Sequence, residues 1–422
     1  MMRRLTTLLT TLVFTGFMLA ACGDSGTGPG NDGNGDNDGG ETTTYSMDIT
    51  VTPSEGGAVS RSADGPYDEG ETVELTAEAA SGWIFVEWQG DMTGTENPQQ
   101  ITIDESKEVT AVFEEEQAKF YMAENGVTIK CEDAGVGDTG TVDDVTYTKR
   151  IADQITTDNA STTCTSDITD LSYVFRDSVD FNEDISSWDV SSVTTMTAIF
   201  HDAKSFNQDI SHWDVSSATN MLKMFQGAEA FSGDISSWDV SGVLYMGSMF
   251  MDATAFNGDL SNWDVSSVTD MSAMFWNATS FNQDIDSWGD DVSSVESMKR
   301  MFQGAEAFNQ DLNSWDVSGV EDMSDMFHDA INFNGEISNW DVSNVTDMNT
   351  MFADAEGFNR DIGDWDVSGV TDMETMFYNA TSFNQDLSGW CVSNFTSEPG
   401  GFSSFSALED SNEPEWGTCP GT

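Results

Sequence analysis

Basic side chains are scarce in this chain: its 422 residues include 14 lysines and arginines against 75 aspartates and glutamates, giving a formal net charge of −61. Binding to nucleic-acid phosphates needs a basic surface, so we expect no nucleic-acid partner. Hydrophobic residues nevertheless make up 38% of the chain, which argues against global disorder. The acidity therefore indicates a solvated protein surface, with cation binding as the alternative interpretation.

Catalytic motifs are also lacking. The three histidines, His201, His212 and His328, are scattered along the sequence, and we expect them at the surface rather than as a metal-binding pair. There is no phosphate-binding glycine loop, no HExxH motif and no zinc-binding cysteine pattern. The carboxylates recur at regular intervals instead of forming one distinctive pair. We therefore predict no catalytic residues, no enzyme activity and no cofactor other than Ca²⁺ on the acidic surface.

Long apolar runs are absent except near the N-terminus, where Arg3 and Arg4 precede the apolar segment 5–19. This pattern is typical of an export signal. It ends in L-A-A-C at Cys22, which resembles the lipobox of bacterial lipoproteins, a class in which the chain is cut before the cysteine and the cysteine is acylated. We therefore expect a signal peptide at 1–21, lipid attachment at Cys22 and a location on the outer face of the bacterial envelope, held by the lipid alone.

The remaining cysteines are even in number, which in an exported chain predicts disulfides: Cys131, Cys164, Cys391 and Cys419. Three pairings are formally possible. The first two cysteines precede the repeats described next and the other two follow them. Nine repeats stacked at about 4.8 Å would separate the two groups by about 40 Å, whereas a disulfide needs Cα atoms within about 7 Å. We therefore predict local pairs, Cys131–Cys164 and Cys391–Cys419.

The dominant feature of the chain is a 25-residue repeat, written nine times between Phe181 and Trp390 as F-N-x-D-I-S-x-W-D-V-S-x-V-x-x-M-x-x-M-F-x-x-A. One repeat is two residues longer, because Gly289 and Asp290 interrupt its W-D-V. A fixed period of this length is typical of a solenoid, in which each unit buries its apolar face against its neighbours.

Within one repeat, two hydrophobic patterns follow each other. Alternation at Ile210, Trp213 and Val215 predicts a strand whose apolar side chains point inward. Spacings of three and four then predict a short return helix with a buried stripe: Ala218, Met221, Met224, Phe225 and Ala228. We therefore predict an α/β solenoid of the leucine-rich-repeat type at 181–390, with a parallel strand face and short return helices. The segments 121–180 and 391–422 are predicted to cap its ends.

The part before the repeats divides into two segments. Residues 22–44 are rich in glycine, aspartate and asparagine, which predicts a flexible tether. Residues 45–116 alternate in runs such as T-V-E-L-T-A and E-V-T-A-V-F, separated by glycine-containing turns, which predicts a small all-β domain. These runs, together with G-W-I-F-V-E-W-Q-G-D, resemble the divergent internalin B-repeat domains of bacterial surface proteins. That resemblance implies a spacer or accessory β unit.

The repeat motif and its flanks, G-V-T-I-K-C-E-D-A-G-V-G-D-T-G and W-G-T-C-P, resemble the BspA-like leucine-rich-repeat surface proteins, including the Mycoplasma-type lipoprotein repeats of the same period. The resemblance implies a lipid-anchored recognition or adhesion protein that binds an extracellular protein, glycan or cell surface through its repeat face. The alternative is a passive acidic spacer of the envelope or extracellular matrix, since the predicted face lacks the aromatic and arginine side chains of most binding hot spots.

The candidate binding face is a column of aspartates that follow the repeat tryptophans: Asp189, Asp214, Asp239, Asp264, Asp291, Asp316, Asp341 and Asp366. Unit charges about 4.8 Å apart repel by about 0.9 kcal/mol in water, and by more near a protein surface. Hydrogen bonds and salt would relieve this repulsion, and so would bound divalent cations; both interpretations stay open. The asparagines after the first phenylalanine of eight repeats are expected to form a ladder of buried amides bonded to adjacent backbone.

Overall fold

The computed structural model describes residues 43–420, which form two compact units that meet in sequence between Gln117 and Ala118. The predicted signal peptide, the predicted lipid-attachment site Cys22 and almost all of the predicted tether lie outside the described residues. Within the described part, no helix has both the length and the apolar character that a membrane crossing requires.

The first unit is built from eight strands: β1 (Thr44–Tyr45), β2 (Met47–Thr52), β3 (Gly57–Arg61), β4 (Tyr67–Asp68), β5 (Glu71–Ala79), β6 (Trp83–Gly90), β7 (Gln99–Ile103) and β8 (Lys107–Glu115). Strand β8 lies between β2, which is parallel to it, and β6, which is antiparallel. Strand β5 pairs antiparallel with both β3 and β7. The short strands β1 and β4 pair with each other.

The period-2 alternation in the sequence explains this core. In β5 the side chains of Val73, Leu75 and Ala77 are buried, while the residues between them are not. Trp88 is also fully buried, and its Nε1 donates a hydrogen bond to the Glu96 carbonyl at 2.9 Å. Trp88 is therefore a core residue of the first unit rather than an exposed stacking surface.

The second unit begins with an irregular β segment that contains β9 (Tyr121–Met122), β10 (Ile129–Lys130), β11 (Thr139–Val142), β12 (Val145–Lys149) and β13 (Thr163–Cys164). Strand β12 pairs antiparallel with β11 and parallel with β13. Two short 3₁₀ helices, Ala152–Gln154 and Ala160–Thr162, connect β12 to β13. A disulfide between Cys131 and Cys164 joins the end of β10 to β13 within this segment.

The predicted α/β solenoid of the leucine-rich-repeat type is wrong. Among the described residues after β13 there is no β-strand, and the only helical segment is the 3₁₀ stretch Asp286–Ser294. That stretch lies at the two-residue insertion, where Gly289 adopts a φ of 40°. Neither the return helices nor the continuous parallel strand face has formed.

The segment predicted as a helix is a series of turns. One residue before the first methionine of each repeat, a single parallel bridge connects neighbouring repeats, as between Thr195 and Asn220. From that methionine onward, every second N–H donates to a carbonyl of the next repeat; in the first full repeat Met196, Ala198 and Phe200 do so at 2.9–3.0 Å. From Ile199 onward, the N–H groups between them bond to carbonyls three residues back in their own repeat. The N–H directly after the methionine bonds in most repeats to the side chain two residues back, as from Ser272 to Asp270.

Left-handed backbone explains why no helix forms. The residues two and six positions after the first methionine have positive φ in repeat after repeat, for example Ala198 at 52° and Asp202 at 56°. An α-helix needs right-handed φ throughout and an N–H bond to the carbonyl four residues back. Two successive four-residue turns bury side chains at the same spacings of three and four as a helix. Hydrophobic periodicity alone therefore favoured the wrong element.

Aromatic columns form the core of the repeats. Each repeat tryptophan is buried and donates its Nε1 hydrogen to the backbone of the preceding layer; Trp213 bonds to the Ile185 carbonyl and Trp263 to the Ile235 carbonyl, at 3.2 and 3.1 Å. The phenylalanines stack in parallel, with 3.9 Å between the ring centroids of Phe250 and of Phe256, which begins the next repeat. The inward orientation predicted for the tryptophans is therefore confirmed.

The asparagine ladder is present, but on the surface. The Oδ1 atom of Asn182 accepts the backbone N–H of Asn207 at 2.9 Å, and the same bond recurs in later repeats, as from Asn309 to Asn334. The asparagines themselves are largely exposed. The prediction of the bonding partner was therefore right and the prediction of burial was wrong.

Replacing Ser248 by glycine is expected to raise the free energy of unfolding of the repeat unit by about 1 kcal/mol, because Ser248 has a φ of 55° and left-handed backbone strains any residue with a Cβ. In a helix the same change would lower stability. Equilibrium denaturation followed by tryptophan fluorescence measures the difference. Ser248→Ala retains the strain and is the matched control, with no expected change. A loss of stability in Ser248→Gly would contradict the turn conformation.

Replacing Trp263 by phenylalanine is expected to lower the free energy of unfolding by about 2–3 kcal/mol, since it leaves the buried Ile235 carbonyl without its donor and removes buried volume. Trp276→Phe, at a half-buried tryptophan on the outside of the repeats, serves as the control and should change stability by less than about 1 kcal/mol. Equal effects of the two substitutions in guanidinium denaturation would show that the indole bonds do not hold the layers together.

Candidate interaction surface

The aspartates of the predicted binding column are bonded within their own repeats. Each side chain that lies in a regular repeat caps the turn that follows it; Asp239 Oδ1, for example, accepts the Ser241 N–H at 3.1 Å and the Ser241 hydroxyl at 2.6 Å. The insertion interrupts this pattern. There, the column residue Asp291 lies within the 3₁₀ stretch Asp286–Ser294. At the start of that stretch Asp286, which is not a member of the column, accepts the N–H and hydroxyl of Ser314 in the next repeat.

These hydrogen bonds favour the charged form of the carboxylates. The hydroxyl and N–H of Ser241 hold the pKa of Asp239 below its ordinary value, and Ser343 lowers the pKa of Asp341 in the same way. The hydrogen bonds that the serines donate therefore stabilise the charged carboxylates and offset the repulsion between neighbouring aspartates of the column. Binding of divalent cations by the column stays a prediction.

Asp189, the first member of the column, differs from the others because it is only 4% exposed. Its Oδ1 accepts a hydrogen bond from Lys130 Nζ at 2.9 Å, and its Oδ2 accepts one from the Ser166 hydroxyl at 2.7 Å. Burial alone would raise the pKa of Asp189, but the bonds from Lys130, Ser166 and Ser191 outweigh burial and hold the pKa below its ordinary value. This ion pair joins β10 to the first repeat.

The four cysteines pair as the sequence predicts. Cys131 and Cys164 have Cα atoms 6.3 Å apart, and Cys391 and Cys419 have Cα atoms 4.0 Å apart. One disulfide lies before the first repeat and the other follows the last tryptophan.

A second surface of the repeats varies from one repeat to the next. We call it the variable face and define it by the positions two and five residues after the first methionine of each repeat, or after Leu171 in the incomplete repeat that precedes Phe181. The first set is Tyr173, Ala198, Lys223, Ser248, Ala273, Arg300, Asp325, Thr350 and Thr375; the second set is Arg176, His201, Gln226, Met251, Trp276, Gln303, His328, Ala353 and Tyr378. The two sets contact each other, because consecutive turns place them side by side.

Aromatic and basic side chains meet on the variable face. The Arg300 guanidinium lies over the Trp276 ring of the preceding repeat, 5.4 Å from its centroid, and Arg176 lies 5.7 Å from the centroid of Tyr173. At the far end Tyr378 packs edge-on against Phe405, which is 74% exposed. Tryptophan, tyrosine and arginine are the residue types that dominate binding hot spots. This surface was not predicted from the sequence, because these positions were expected to lie on a return helix.

Potential metal ligands come together in two places among residues 43–420. One group is Asp177, His201 and Asp202, and the other is His328, Asp329 and Asp354. Neither group contains a member of the aspartate column. Neither group was predicted from the pattern of histidines, because each combines one histidine with carboxylates on neighbouring repeats. The sequence does contain a pattern that predicts such groups: two aspartates lie 25 residues apart, and a histidine directly precedes one of them.

The repeats match a known family model. Three overlapping stretches, 145–257, 212–315 and 297–416, match the family described as "Mycoplasma protein of unknown function, DUF285", and together they span well over half of the chain. The chain belongs to this family. Residues 47–117 match the divergent InlB B-repeat domain. No curated protein and no solved structure matches the chain.

These matches bear on the resemblances seen in the sequence. The likeness of the repeats to the Mycoplasma-type, BspA-like repeats is confirmed, and so is the likeness of the preceding segment to the divergent internalin B-repeats. The chain is thus a DUF285 repeat protein with an internalin-like module. A leucine-rich-repeat identity is not shown, and lipid attachment at Cys22 stays a prediction.

Asp189→Asn is expected to lower the free energy of unfolding by about 3 kcal/mol at neutral pH, because it leaves Lys130 without its buried partner. A carboxyl whose pKa is depressed by folding stabilises the protein above the pKa that it has in the unfolded chain, about 4, and this contribution is lost as the pH falls through the lower folded value. The wild type should therefore approach the variant in stability below about pH 4.

Asp214→Asn is the matched control, since Asp214 occupies the same position in the next repeat but is exposed and bonded to Ser216 alone. It should change stability by less than about 1 kcal/mol at any pH. Chemical denaturation of the three proteins between about pH 3 and pH 8 tests both expectations. A constant difference between wild type and Asp189→Asn across that range would contradict them.

Proposed function

We propose that the protein is a lipid-anchored recognition or adhesion protein on the outer face of a bacterial envelope, and that it binds an extracellular protein through the variable face. The predicted export signal and the lipobox at Cys22 support the location. The two family matches support a repeat protein of this kind. The binding function rests on the composition of the variable face.

One observation carries this proposal. The aspartate column is uniform, and its carboxylates already accept hydrogen bonds from serines of the same chain. The variable face instead presents Tyr173, Trp276, Arg300 and Tyr378. Rigid aromatic rings with an arginine beside them bury large contact areas at a small entropic cost. Specific recognition therefore fits the variable face better than the aspartate column.

The charge of the chain indicates the chemistry of the partner. A formal net charge of −61 attracts basic protein surfaces and repels acidic ones. Arg300 and Arg176 lie within this acidic field beside aromatic rings, and each already pairs with an aspartate of the chain, Asp325 at 3.1 Å and Asp177 at 3.5 Å. Carboxylates of an otherwise basic partner would bind these arginines by replacing those aspartates. Several contacts along one rigid face also add through effective concentration. Affinity for such a partner should fall as salt rises.

A passive acidic spacer is the second candidate function. The observation that favours it is the self-contained bonding of the aspartate and asparagine columns, which leaves much of the surface hydrated and without directed binding groups. A spacer of this kind would bind no partner at all, and this distinguishes it from a recognition protein.

The chain from Gly23 onward should bind at least one extracellular protein in a screen against matrix proteins, glycans and whole cells. Replacing Trp276, Arg300 and Tyr378 together by alanine should weaken that binding by about 30-fold or more, since loss of hot-spot side chains costs about 2 kcal/mol or more. The matched control replaces Asp239, Asp264 and Asp316 by asparagine and should change affinity less than about threefold. Near-UV circular dichroism verifies that both variants are folded.

The other outcomes assign the function elsewhere. A larger effect of the asparagine variant would make the aspartate column the binding site. Equal binding by all three proteins would move the site to the internalin-like unit. Binding to glycans alone would change the class of partner, and the absence of binding in every arm would favour the passive spacer.

A further inference from the structure

One further column of the repeats combines left-handed backbone with acidic side chains. It occupies the position six residues after the first methionine, or after Leu171 in the incomplete repeat that precedes Phe181: Asp177, Asp202, Gly227, Asp252, Asn277, Gly304, Asp329, Asp354 and Asn379, all with positive φ. Neighbouring members lie directly above one another, because the repeats stack in register. Asn277 Nδ2 donates to Asp252 Oδ1 at 2.8 Å, and Asn379 Nδ2 donates to Asp354 Oδ1 at 2.7 Å.

Only two steps of this column place one aspartate directly beside another. They are Asp177 to Asp202 and Asp329 to Asp354. At every other step one partner is asparagine, which donates a hydrogen bond, or glycine, which carries no charge. Both aspartate steps have a histidine immediately next to them, His201 and His328. The same combination therefore recurs at two separate places in the repeats.

At the first place, His201 Nδ1 faces both carboxylates. It lies 3.5 Å from Asp202 Oδ2 and 3.9 Å from Asp177 Oδ1. This nitrogen is buried and has no hydrogen-bond partner. It lies between aspartates that belong to two neighbouring repeats. A buried nitrogen directed at two carboxylates without a bond to either is costly unless a proton or a metal ion lies between them.

At the second place, His328 presents its other nitrogen. His328 Nε2 lies 3.5 Å from Asp329 Oδ2 and 3.8 Å from Asp354 Oδ2. His328 Nδ1 lies 3.1 Å from the side-chain amide nitrogen of Gln303, whose buried Oε1 has no partner. Exchanging the Gln303 amide oxygen and nitrogen lets Oε1 accept the Nδ1 hydrogen. The lone pair of Nε2 then points at the two carboxylates. In metal sites, a partner group that accepts the other ring N–H orients a histidine ligand in the same way.

We propose that these two groups, Asp177–His201–Asp202 and His328–Asp329–Asp354, are binding sites for divalent transition-metal ions such as Zn²⁺. Each group offers one imidazole nitrogen and two carboxylate oxygens, and its three potential ligand atoms lie within 4.8 Å of one another. Tetrahedral Zn²⁺ with bonds of about 2.0–2.2 Å separates its ligands by about 3.4 Å. The nitrogen–oxygen distances of 3.5–3.9 Å therefore need only a small closure.

The choice of ion follows from the donor set and the exposure. An imidazole with two carboxylates suits Zn²⁺ or Mn²⁺, whereas Ca²⁺ prefers a larger set of oxygen ligands. The side chains of Asp177 and Asp329 are 67% and 56% exposed, so the outer positions of each ion are open to water. At the first site the Arg176 side chain, 3.5 Å from Asp177, competes with a metal ion for the Asp177 carboxylate.

Titration of the full-length chain with ZnCl₂ in a non-chelating buffer at neutral pH tests the proposal by isothermal calorimetry. The wild type should bind two ions per chain with saturation. His201→Ala and His328→Ala should each bind one, and the double variant should bind none at these sites. His212→Ala, at an exposed histidine outside both groups, is the matched control and should retain two. Asp202→Asn and Asp354→Asn should each weaken one site by about tenfold or more.

Two further measurements separate specific binding from attraction to an acidic surface. In nuclear magnetic resonance spectra, Zn²⁺ should shift the imidazole signals of His201 and His328 but not those of His212. A parallel titration with CaCl₂ should give heats that do not differ between the wild type and the histidine variants. Equal Zn²⁺ stoichiometry in the wild type and the double variant, or no saturable Zn²⁺ binding by the wild type, would overturn the proposal and leave the histidines as ion-pair partners of the aspartates.

Discussion

The hydrogen bond from one repeat to the next at every second residue is the interaction on which the repeat unit depends. It begins at the first methionine and continues through the phenylalanine, as from Met196 and Phe200 into the following repeat. Beyond the residue after the methionine, the intervening N–H groups bond three residues back, whereas an α-helix needs bonds four residues back. This alternation requires left-handed residues such as Ala198 and Asp202. The tryptophan bonds and the phenylalanine stacks then hold the layers together from within.

Stacking in register converts every position of the repeat into a column, and the columns divide into two kinds. At positions where the side chain accepts a hydrogen bond from a backbone N–H, the residue type hardly changes: aspartate caps the turn after tryptophan, and asparagine bonds to the next layer. At positions where the side chain makes no hydrogen bond that the backbone requires, the residue type changes from repeat to repeat. The variable face, with Trp276 and Arg300, belongs to the second kind. Recognition is therefore proposed at the positions that the fold leaves open.

The ends of the repeat unit are held by stronger local interactions than its middle. The Lys130–Asp189 pair joins the β segment to the first repeat, the Cys131–Cys164 disulfide crosslinks that segment internally, and the Cys391–Cys419 disulfide lies at the other end. A terminal layer lacks a neighbour on one side, so its apolar surface needs such a cover. Asp189 is buried because Lys130 and Ser166 lie against its carboxylate, whereas Asp214 at the same position of the next repeat is exposed.

The sequence by itself determined the period, the buried set of side chains such as Trp213, Met221 and Phe225, the cysteine pairs and the family of the repeats. It did not determine the secondary structure. Apolar residues at spacings of three and four indicate which side chains are buried, but they do not indicate to which carbonyl each N–H donates its hydrogen bond. Turns and a helix satisfy that spacing equally. The tertiary structure alone decided that serines relieve the aspartate column and that His201 meets Asp177. Those contacts join neighbouring positions or residues about one repeat apart, and only the turn geometry and the register of the stack bring them within reach.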